Sequence, residues 1–457
     1  MKNELKLQIR FLGASGTVTG SKHLISAYGK NILIDCGLFQ GLKELRLLNW
    51  KPLDFSPEKI DVVLLIHGHL DHTGYIPCLT KAGFSGDIIG TAPTLQIEEI
   101  ILKDSAKIQK EDANSANKHK YSKRKPALPL YGLDDVEKTL PLFKPKPLNE
   151  WIAIDKNIRY RFRYNGHIIG ATFIELQIGS KTLVFSGDIG RPSDPLLYTP
   201  EKPEQADILF IEATYRNRIH PARSAIDGLE ELINRCTERN GTIIIPSFSV
   251  ERTQLLMYLF WQLRKTGRMP NIPIYMDSPM CRNVLEVFHK NTSWHKLSMD
   301  ECSEMCNVIK RIKTMDETHA LAADNHPKII IAGSGMAAGG RVLTYFTKYL
   351  GDANATILMV GYQADGTRGR ALLEGAKEIK LYGKYFKVRA KIENLEGLSG
   401  HTNQNELISW LSNIKNKPEH IYIVHGEKEG TNGLKTKIKE VYSWDCEIPS
   451  LNETVNI

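Results

Sequence analysis

The sequence lacks the cysteine pairs that build a disulfide framework or a thiolate metal site. Its seven cysteines are scattered, odd in number and contain no Cys-x-x-Cys pair. The sequence also lacks an apolar leader after Met1 and any apolar run near the ~18 residues that a membrane-spanning helix requires. These features argue against a disulfide-rich secreted domain and against a membrane protein. We therefore expect a protein of the reducing cytoplasm with no membrane partner.

No charge of one sign dominates the chain. Lysine and arginine number 60 against 52 aspartates and glutamates, a mild excess that favours a polyanionic partner. Hydrophobic residues at 42% and charged residues at 25% are ordinary for a folded globular protein. Because 457 residues exceed the size at which a single core stops growing, we expect two domains or one domain with a large insertion.

One short stretch concentrates side chains that bind metal ions. Residues 67–74 read His-Gly-His-Leu-Asp-His-Thr-Gly and follow the apolar run 62–66, which predicts a buried strand. Imidazole nitrogen and carboxylate oxygen suit Zn²⁺, and this spacing lets two histidines serve one ion while the aspartate and the third histidine face another. The alternative is a polar loop that is rich in histidine by accident, which the tight spacing after a strand disfavours. The candidate ligands are His67, His69, Asp71 and His72.

Two later strand ends repeat this pattern. His167 follows the alternating strand 159–164, and Asp188 follows the apolar strand 181–185. A single histidine or aspartate at a strand end is usually structural, but neighbouring strands bring their ends to one sheet edge, so three such ends favour a shared site. Asp35, at the end of the strand 31–35, either orients a ligand histidine or caps a turn.

The second half of the chain alternates strands with helices, which predicts a parallel sheet. The predicted strands are 242–245, 273–276, 328–332 and 355–360, and the predicted helices include 251–265 and 341–350. Between a strand and a helix, the segment 333–340 is rich in glycine and presents backbone N–H groups at a helix N-terminus. That position favours a substrate phosphate at Ser334, Gly335 and Met336, with a tight glycine turn as the alternative.

Three further segments complete the pattern. Residues 210–215 read Phe-Ile-Glu-Ala-Thr-Tyr, 398–402 read Leu-Ser-Gly-His-Thr, and 423–427 read Ile-Val-His-Gly-Glu. With the histidine-rich stretch and the two later strand ends, they resemble motifs A, B and C of the β-CASP ribonucleases in the metallo-β-lactamase superfamily. These are the relatives of the cleavage-and-polyadenylation endonuclease and RNase J, and the chain is similar to a short prokaryotic-type form.

The resemblance implies an α/β fold, a metallo-β-lactamase αββα sandwich with an inserted α/β β-CASP domain built on a parallel sheet. It places the first domain at residues 1–212 and 391–457 and the β-CASP domain at residues 213–390. Five positions depart from the family pattern. Gly68 stands where alanine is usual, Glu251 and Arg216 where glycine is usual, and Asn165 and Asn403 where aspartate is common.

The same resemblance implies a site with two zinc ions per chain. The implied ligands are His67, His69 and His167 for one ion, Asp71, His72 and His425 for the other, and Asp188 as the bridge. Two ions of this kind activate water for in-line attack on phosphorus, which leaves 3′-OH and 5′-phosphate ends. His401 is implied as the general acid, with Glu212 positioning it, and Asp71 is counted among the catalytic residues.

The implied substrate is single-stranded RNA. In this family a histidine at the position of His425 accompanies RNA processing, whereas relatives that process DNA carry an apolar residue there. We therefore expect a zinc-dependent ribonuclease of RNA processing or decay. A small-molecule hydrolase acting on thioesters or lactones, and a non-catalytic RNA-binding scaffold, are the alternatives. The sequence does not distinguish endonuclease from 5′-exonuclease action, and it leaves self-association as a homo-oligomer open.

Overall fold

The computed structural model describes residues 6–118, 120, 124–214, 224–361, 363 and 366–457. The chain forms two compact units, Met1–Ile219 with His401–Ile457, and His220–Gly400. The second unit is therefore an insertion into the sequence of the first. The sequence pattern places the ends of this insertion at residues 213 and 390, several residues before the ends of the structural unit.

Within the described residues, the first part of the first unit contains eleven strands, and helices lie between the earlier ones. Its elements are β1 (Gln8–Phe11), β2 (His23–Ala27), β3 (Lys30–Ile34), α1 (Lys43–Leu48), β4 (Val62–Leu64), α2 (Leu70–Thr73), α3 (Ile76–Lys81), β5 (Asp87–Gly90), α4 (Ala92–Lys118), α5 (Leu133–Thr139), β6 (Phe143–Pro145), β7 (Ile152–Ala153), β8 (Ile158–Tyr164), β9 (Thr172–Ile178), β10 (Lys181–Phe185) and β11 (Ile208–Glu212).

The inserted unit alternates helices and strands. Its elements are α6 (Ala225–Thr237), β12 (Ile243–Pro246), α7 (Arg252–Lys265), β13 (Ile274–Asp277), α8 (Pro279–Lys290), α9 (Met299–Asn307), β14 (Lys310–Arg311), α10 (Met315–Ala323), β15 (Ile329–Ala332), α11 (Val342–Tyr349), β16 (Thr356–Met359), α12 (Arg368–Leu373), β17 (Glu378–Leu381), β18 (Lys384–Lys387) and β19 (Lys391–Asn394). The chain then returns to the first unit with α13 (Gln404–Trp410), β20 (His420–Val424), α14 (Lys428–Tyr442) and β21 (Thr454–Asn456).

Two sheets pack face to face in the first unit. Their strand orders are β21-β1-β2-β3-β4-β5-β6 and β20-β11-β10-β9-β8-β7. Buried side chains from both sheets, such as Phe11 and Phe185, form one core between them. Helix residues such as Leu102 of α4 cover the outer face of the first sheet, and Ile438 of α14 covers the second. This packing confirms the αββα sandwich that the motifs imply.

Strand β8 shows how the local pattern builds the sheet. Its sequence, Ile-Arg-Tyr-Arg-Phe-Arg-Tyr, alternates buried residues with arginines that are exposed or half-buried. Because successive side chains of a strand point to opposite faces, the aromatic residues enter the core and the arginines face outward. The strand ends just before His167, which is the position where the sequence predicts a ligand.

The main sheet of the insertion has the order β14-β13-β15-β12-β16-β19, and every neighbouring pair in it is parallel. Its central strands β12 and β15 are apolar runs with every residue buried, as expected for strands covered on both faces. This arrangement confirms the parallel sheet predicted from strand–helix alternation. Strands β17 and β18 form a separate antiparallel hairpin.

Glu251 has a backbone conformation that explains the usual glycine at its position. The residue precedes α7 with φ 66° and ψ −59°. Side chains with a Cβ rarely adopt positive φ, whereas glycine does so at no steric cost. The chain therefore carries a strained residue at the start of α7.

Helix α4 is the longest helix of the described segments, with 27 residues. Charged and amide side chains occur along its whole length, and Glu98 is the one charged residue among its described buried positions. Within the described ranges, no helix combines the length and the apolar character needed to cross a bilayer.

Candidate metal centre

The histidine-rich stretch turns at the carboxyl end of β4. The strand ends at Leu64, and α2 begins immediately after His69, so the chain passes from an extended to a helical conformation within a few residues. A Cβ at Gly68 would lie 2.9 Å from Ile97 Cγ2 and 3.3 Å from Thr94 O. The missing side chain lets α4 pack against this turn, and the alanine that is usual here would force Ile97 to shift.

A first cluster joins three histidines to Asp188. His69 Nδ1 lies 3.0 Å from His67 Nε2 and 3.2 Å from His167 Nε2. Asp188 Oδ2 lies 3.7 Å from the Nε2 atoms of both His67 and His167. One ligand-type atom from each residue falls within 4.8 Å of the others, a separation that one metal ion could span.

A second cluster joins Asp71, His72 and His425. His72 Nε2 lies 3.1 Å from His425 Nε2, although 353 residues separate them in the sequence. Asp71 Oδ2 lies 3.6 Å from His425 Nε2. The loop after β20 therefore brings His425 to the edge where α2 begins.

Asp188 contacts both clusters with different oxygens. Its Oδ2 faces His67 and His167, while its Oδ1 lies 3.4 Å from His72 Nε2 and 3.2 Å from His425 Nδ1. Burial opposes its charge, but His425 and His72 hold the pKa of this carboxyl well below its usual range. The carboxylate is therefore ionised and lies between two groups of imidazoles.

The donor set fits divalent metal ions. Burial lowers the pKa of His67 well below its usual value and that of His69 to about 4, so both imidazoles are neutral and offer a lone pair. Burial opposes the charge on His72, but Asp188 and Asp35 raise its pKa well above its usual value, so this position attracts positive charge. Neutral imidazoles and ionised carboxylates bind Zn²⁺ and other divalent first-row metals.

Asp35 fixes the orientation of His72. It is fully buried, and its Oδ2 accepts a hydrogen bond from His72 Nδ1 at 2.6 Å. The same oxygen accepts from Ser21 Oγ at 3.1 Å, and Oδ1 accepts from Ile66 N at 3.0 Å. Holding the proton on Nδ1 leaves Nε2 of His72 directed at the second cluster. Asp35 thus contacts His72 directly and does more than cap a turn.

Thr214 plays the corresponding part for His425, which the sequence analysis did not identify. Its Oγ1 lies 2.9 Å from His425 Nδ1 and donates to His425 O at 3.0 Å. The hydroxyl oxygen can therefore accept a hydrogen bond from a protonated Nδ1. Nε2 of His425 then carries a lone pair and faces His72 and Asp71. The available signal was position, since Thr214 lies two residues after Glu212 in motif A. Tyr215, which ends this motif, lies outside the described residues.

Exchanging Asp35 for asparagine tests this orientation. We expect Asp35→Asn to weaken zinc binding by about 10- to 100-fold, because the amide removes the charge that holds the His72 proton. Competition with a chromophoric chelator measures the affinity. The matched control is Asp61→Asn, since Asp61 also accepts a backbone hydrogen bond, from Asn31 N at 2.8 Å, but lies outside the clusters. Equal affinities for the two variants would contradict the assignment.

His401 and Glu212 form a pair beside the first cluster. His401 Nδ1 lies 3.5 Å from Glu212 Oε2, and its ring centroid is 4.5 Å from that of His167. Burial opposes protonation of His401, but the neighbouring Glu212 carboxylate raises the pKa of the imidazole to about 9. Glu212 also accepts a short hydrogen bond from Ile189 N and is buried. Its carboxylate also lies near Asp188 and His425, close enough to serve a metal ion.

The predicted phosphate loop belongs to the inserted unit. Ser334 Oγ accepts hydrogen bonds from Ala338 N at 3.2 Å and Gly339 N at 3.4 Å, so the loop satisfies part of its own N–H groups. A Cβ on Gly335 would lie 2.5 Å from Phe248 Cδ2, and Gly335 O accepts from Gln363 Nε2 at 3.0 Å. The glycine thus serves close packing, and phosphate contacts at Ser334, Gly335 and Met336 stay a prediction.

Three family models match the chain in sequence order. The metallo-β-lactamase superfamily model matches residues 23–228, the β-CASP domain model matches residues 253–372, and a model described as a Zn-dependent metallo-hydrolase RNA specificity domain matches residues 385–449. These matches cover the sandwich, the inserted unit and the return to the first unit.

Known proteins resemble the chain over most of its length. It is 34% identical over 424 residues to Ribonuclease TTHA0252 of Thermus thermophilus. This alignment covers 91% of the present chain and 92% of the relative. It is 28% identical over 474 residues to the transcription termination factor FttA of Methanosarcina mazei, which covers 99% of this chain and 72% of that protein. A crystal structure described as a protein of unknown function from Enterococcus faecalis V583 shares the fold, with a TM-score of 0.56 at 13% identity, over 99% of this chain and 100% of that one. On the models and the 34% identity over nearly the full length of a relative, the chain belongs to the β-CASP ribonuclease family of the metallo-β-lactamase superfamily.

Proposed function

We propose that the protein is a zinc-dependent ribonuclease that hydrolyses RNA phosphodiester bonds in RNA processing or decay and leaves 3′-OH and 5′-phosphate ends. The observation that carries this proposal is Asp188, which directs one oxygen at each histidine cluster. Two neighbouring clusters that share a carboxylate would suit a phosphodiesterase that uses two metal ions. The relative named as a ribonuclease and the RNA specificity domain model support RNA as the substrate.

We assign two zinc ions to the two clusters. The proposed ligands are His67, His69 and His167 for one ion, Asp71, His72 and His425 for the other, and Asp188 for both. When bound, the two ions would lower the pKa of a water molecule and stabilise the negative charge that develops on phosphate. Asp35 and Thr214 contact Nδ1 of His72 and of His425, and so hold the Nε2 atoms of these rings toward the cluster.

The substrate phosphate is proposed to enter from the side of His69, Asp71 and His401. These three residues are half-buried, whereas His67, His72 and His425 are buried. The side chains of Asp71 and His401 are 20% and 23% exposed to solvent. Asp71 therefore combines metal binding with a position that substrate can reach.

His401 is proposed to give a proton to the leaving ribose oxygen. Glu212 lies on the Nδ1 side of the imidazole, so the proton for transfer is carried by Nε2. Glu212 raises the pKa of this imidazole to about 9, which favours the protonated form that a general acid needs before transfer. Glu212 positions the ring and balances its charge.

The cytoplasm is the compartment that we propose for this activity. No two of the seven cysteines are joined by a disulfide, as expected of a protein kept in a reducing environment.

The proposed preference for RNA over DNA rests on His425, because of its position in motif C.

Cleavage of labelled RNA by the zinc-loaded protein tests the proposal. We expect cleavage of internally labelled and 5′-labelled single-stranded RNA, loss of cleavage after treatment with a chelator, and recovery when Zn²⁺ is returned. Products that poly(A) polymerase extends without phosphatase treatment carry a 3′-OH, and products that are ligated directly carry a 5′-phosphate. DNA of the same sequence, which should be cleaved more slowly, is the control.

The product pattern also separates the remaining alternatives. Early release of mononucleotides identifies a 5′-exonuclease, whereas internal fragments identify an endonuclease. Hydrolysis of a thioester with RNA left intact would replace the proposal by a small-molecule hydrolase. RNA binding without any metal in elemental analysis would indicate a scaffold instead.

A further inference from the structure

The β17–β18 hairpin of the inserted unit carries a concentration of positive charge. Residues 377–391 read Lys-Glu-Ile-Lys-Leu-Tyr-Gly-Lys-Tyr-Phe-Lys-Val-Arg-Ala-Lys, with six basic residues and one acidic residue. This segment of fifteen residues holds a net excess of five positive charges, whereas the whole chain has an excess of eight. The basic residues are all exposed: Lys377, Lys380, Lys384, Lys387, Arg389 and Lys391. Among the described side chains, none forms an ion pair with them.

Two tyrosines project from the same hairpin. Tyr382 is 67% exposed and Tyr385 is 64% exposed, the two highest values among the large hydrophobic residues of the described chain. Tyr382 and Gly383 form the turn with φ 49° and 82°, the left-handed pair typical of a tight two-residue hairpin. Neither ring contributes to a hydrophobic core, so the folded insertion gains little from them.

The hairpin is a fixed platform rather than a loose loop. Ile379 and Leu381 are 5% and 0% exposed and belong to the core of the insertion. On the opposite face, Lys380 pairs across the strands with Tyr385, and its Nζ lies 5.5 Å from the centre of that ring. One face is therefore anchored in the core while the other offers an aromatic ring next to ammonium groups.

Arg368 connects this platform to the glycine-rich loop. Its Nε donates to Lys380 O at 3.0 Å, and its Nη1 donates to Ala338 O at 2.7 Å. Within the inserted unit, the hairpin and the loop after β15 are thus held to the same guanidinium. The backbone of a nucleic acid that contacts the hairpin can therefore extend to the loop after β15.

We propose that the β17–β18 hairpin is a docking surface for single-stranded RNA. Lysine ammonium groups bind backbone phosphates without sequence preference, and exposed aromatic rings stack on unpaired bases. A duplex hides the faces of its bases, so the tyrosines select single strands. This inference deepens the proposed function and rests on it for the identity of the substrate. Because no proposed metal ligand belongs to the inserted unit, the hairpin acts on affinity and not on the chemical step.

Three sets of variants test the docking surface. They are the lysine set Lys380→Ala, Lys384→Ala and Lys387→Ala; the tyrosine set Tyr382→Ala and Tyr385→Ala; and the control set Lys290→Ala, Lys313→Ala and Lys348→Ala. The control lysines are exposed and lie in the same unit, so this set removes the same charge from other positions. A fourth variant, Tyr382→Phe with Tyr385→Phe, keeps the rings and should restore binding.

The measurements are KM and kcat for RNA cleavage, together with the anisotropy of a labelled single-stranded RNA at several salt concentrations. We expect the tyrosine set to raise KM and Kd at least fivefold. The lysine set should reduce the slope of log affinity against log salt by about two, since each lost phosphate contact removes ~0.7. Saturating kcat, zinc content and the melting temperature should match those of the control set.

Equal RNA affinity in the hairpin and control sets would overturn the proposal. A wild-type dimer that becomes monomeric in the hairpin variants, with RNA affinity unchanged, would overturn it as well and identify a contact between copies of the chain. If the wild-type protein cleaves no RNA, the proposed function fails, but the anisotropy measurements still decide whether the hairpin binds RNA.

Discussion

Replacing His401 by alanine is expected to lower kcat for RNA cleavage by about 10²- to 10⁴-fold while zinc content stays unchanged. This loss corresponds to roughly 3–5 kcal/mol of transition-state stabilisation. The physical reason is that the leaving ribose oxygen must take up a proton. His401 lies beside the clusters, and Glu212 favours its protonated form. Alanine removes the proton donor but none of the proposed zinc ligands.

The substrate itself supplies a second test of this role. An aryl phosphodiester has a leaving group that needs no proton, so His401→Ala should reduce its hydrolysis far less than it reduces RNA cleavage. His420→Ala is the matched control, because His420 also lies near a glutamate, with Nδ1 3.3 Å from Glu447 Oε1, but outside the site. Equal losses on RNA and on the aryl ester would exclude a general-acid role for His401.

Exchanging Asp188 for asparagine is expected to abolish the two-metal site. Asp188 contributes one oxygen toward each cluster and the negative charge between them. An amide can offer one carbonyl oxygen, but it brings no charge, so we expect at most one zinc ion per chain in elemental analysis. Two-metal charge stabilisation is worth several kcal/mol, and RNA cleavage should therefore fall by about 10³-fold or more.

A structural aspartate provides the comparison for this variant. Asp207 accepts a hydrogen bond from Thr182 N at 2.7 Å and lies outside both clusters, so Asp207→Asn should keep two zinc ions and full activity. The melting temperature of each zinc-free protein shows whether the sandwich itself is intact. Two zinc ions in Asp188→Asn with normal cleavage would exclude the bridging role.

The residue types of the candidate site were visible in the sequence because metal ligands are chemically distinctive. Histidines and aspartates followed predicted strands at 62–66, 159–164 and 181–185, and the structure ends strands β4, β8 and β10 close to those positions. The order of elements was also predictable, since strand–helix alternation in the insertion yields the parallel sheet that the structure contains.

Contacts between distant parts of the chain could not be predicted in the same way. Nothing local to Asp35 distinguishes a turn cap from a partner of His72, and the distance of 2.6 Å between them exists only after β3 and β4 pair. Thr214 was overlooked because a threonine has no distinctive chemistry until His425 is placed beside it. The hairpin was overlooked because exposure of its tyrosines depends on which face packs into the core.

By itself, the sequence determined which groups are available: three histidines and an aspartate after one strand, further ligands after others, and a separate strand–helix unit between motifs A and B. The tertiary structure alone decided how these groups combine. It brought His425 to His72 across 353 residues and turned the two oxygens of Asp188 toward different clusters. The physical reason is that residue types determine the local chemistry of each segment. Distances between the proposed ligands are determined only when two sheets pack and their strand ends meet at one edge.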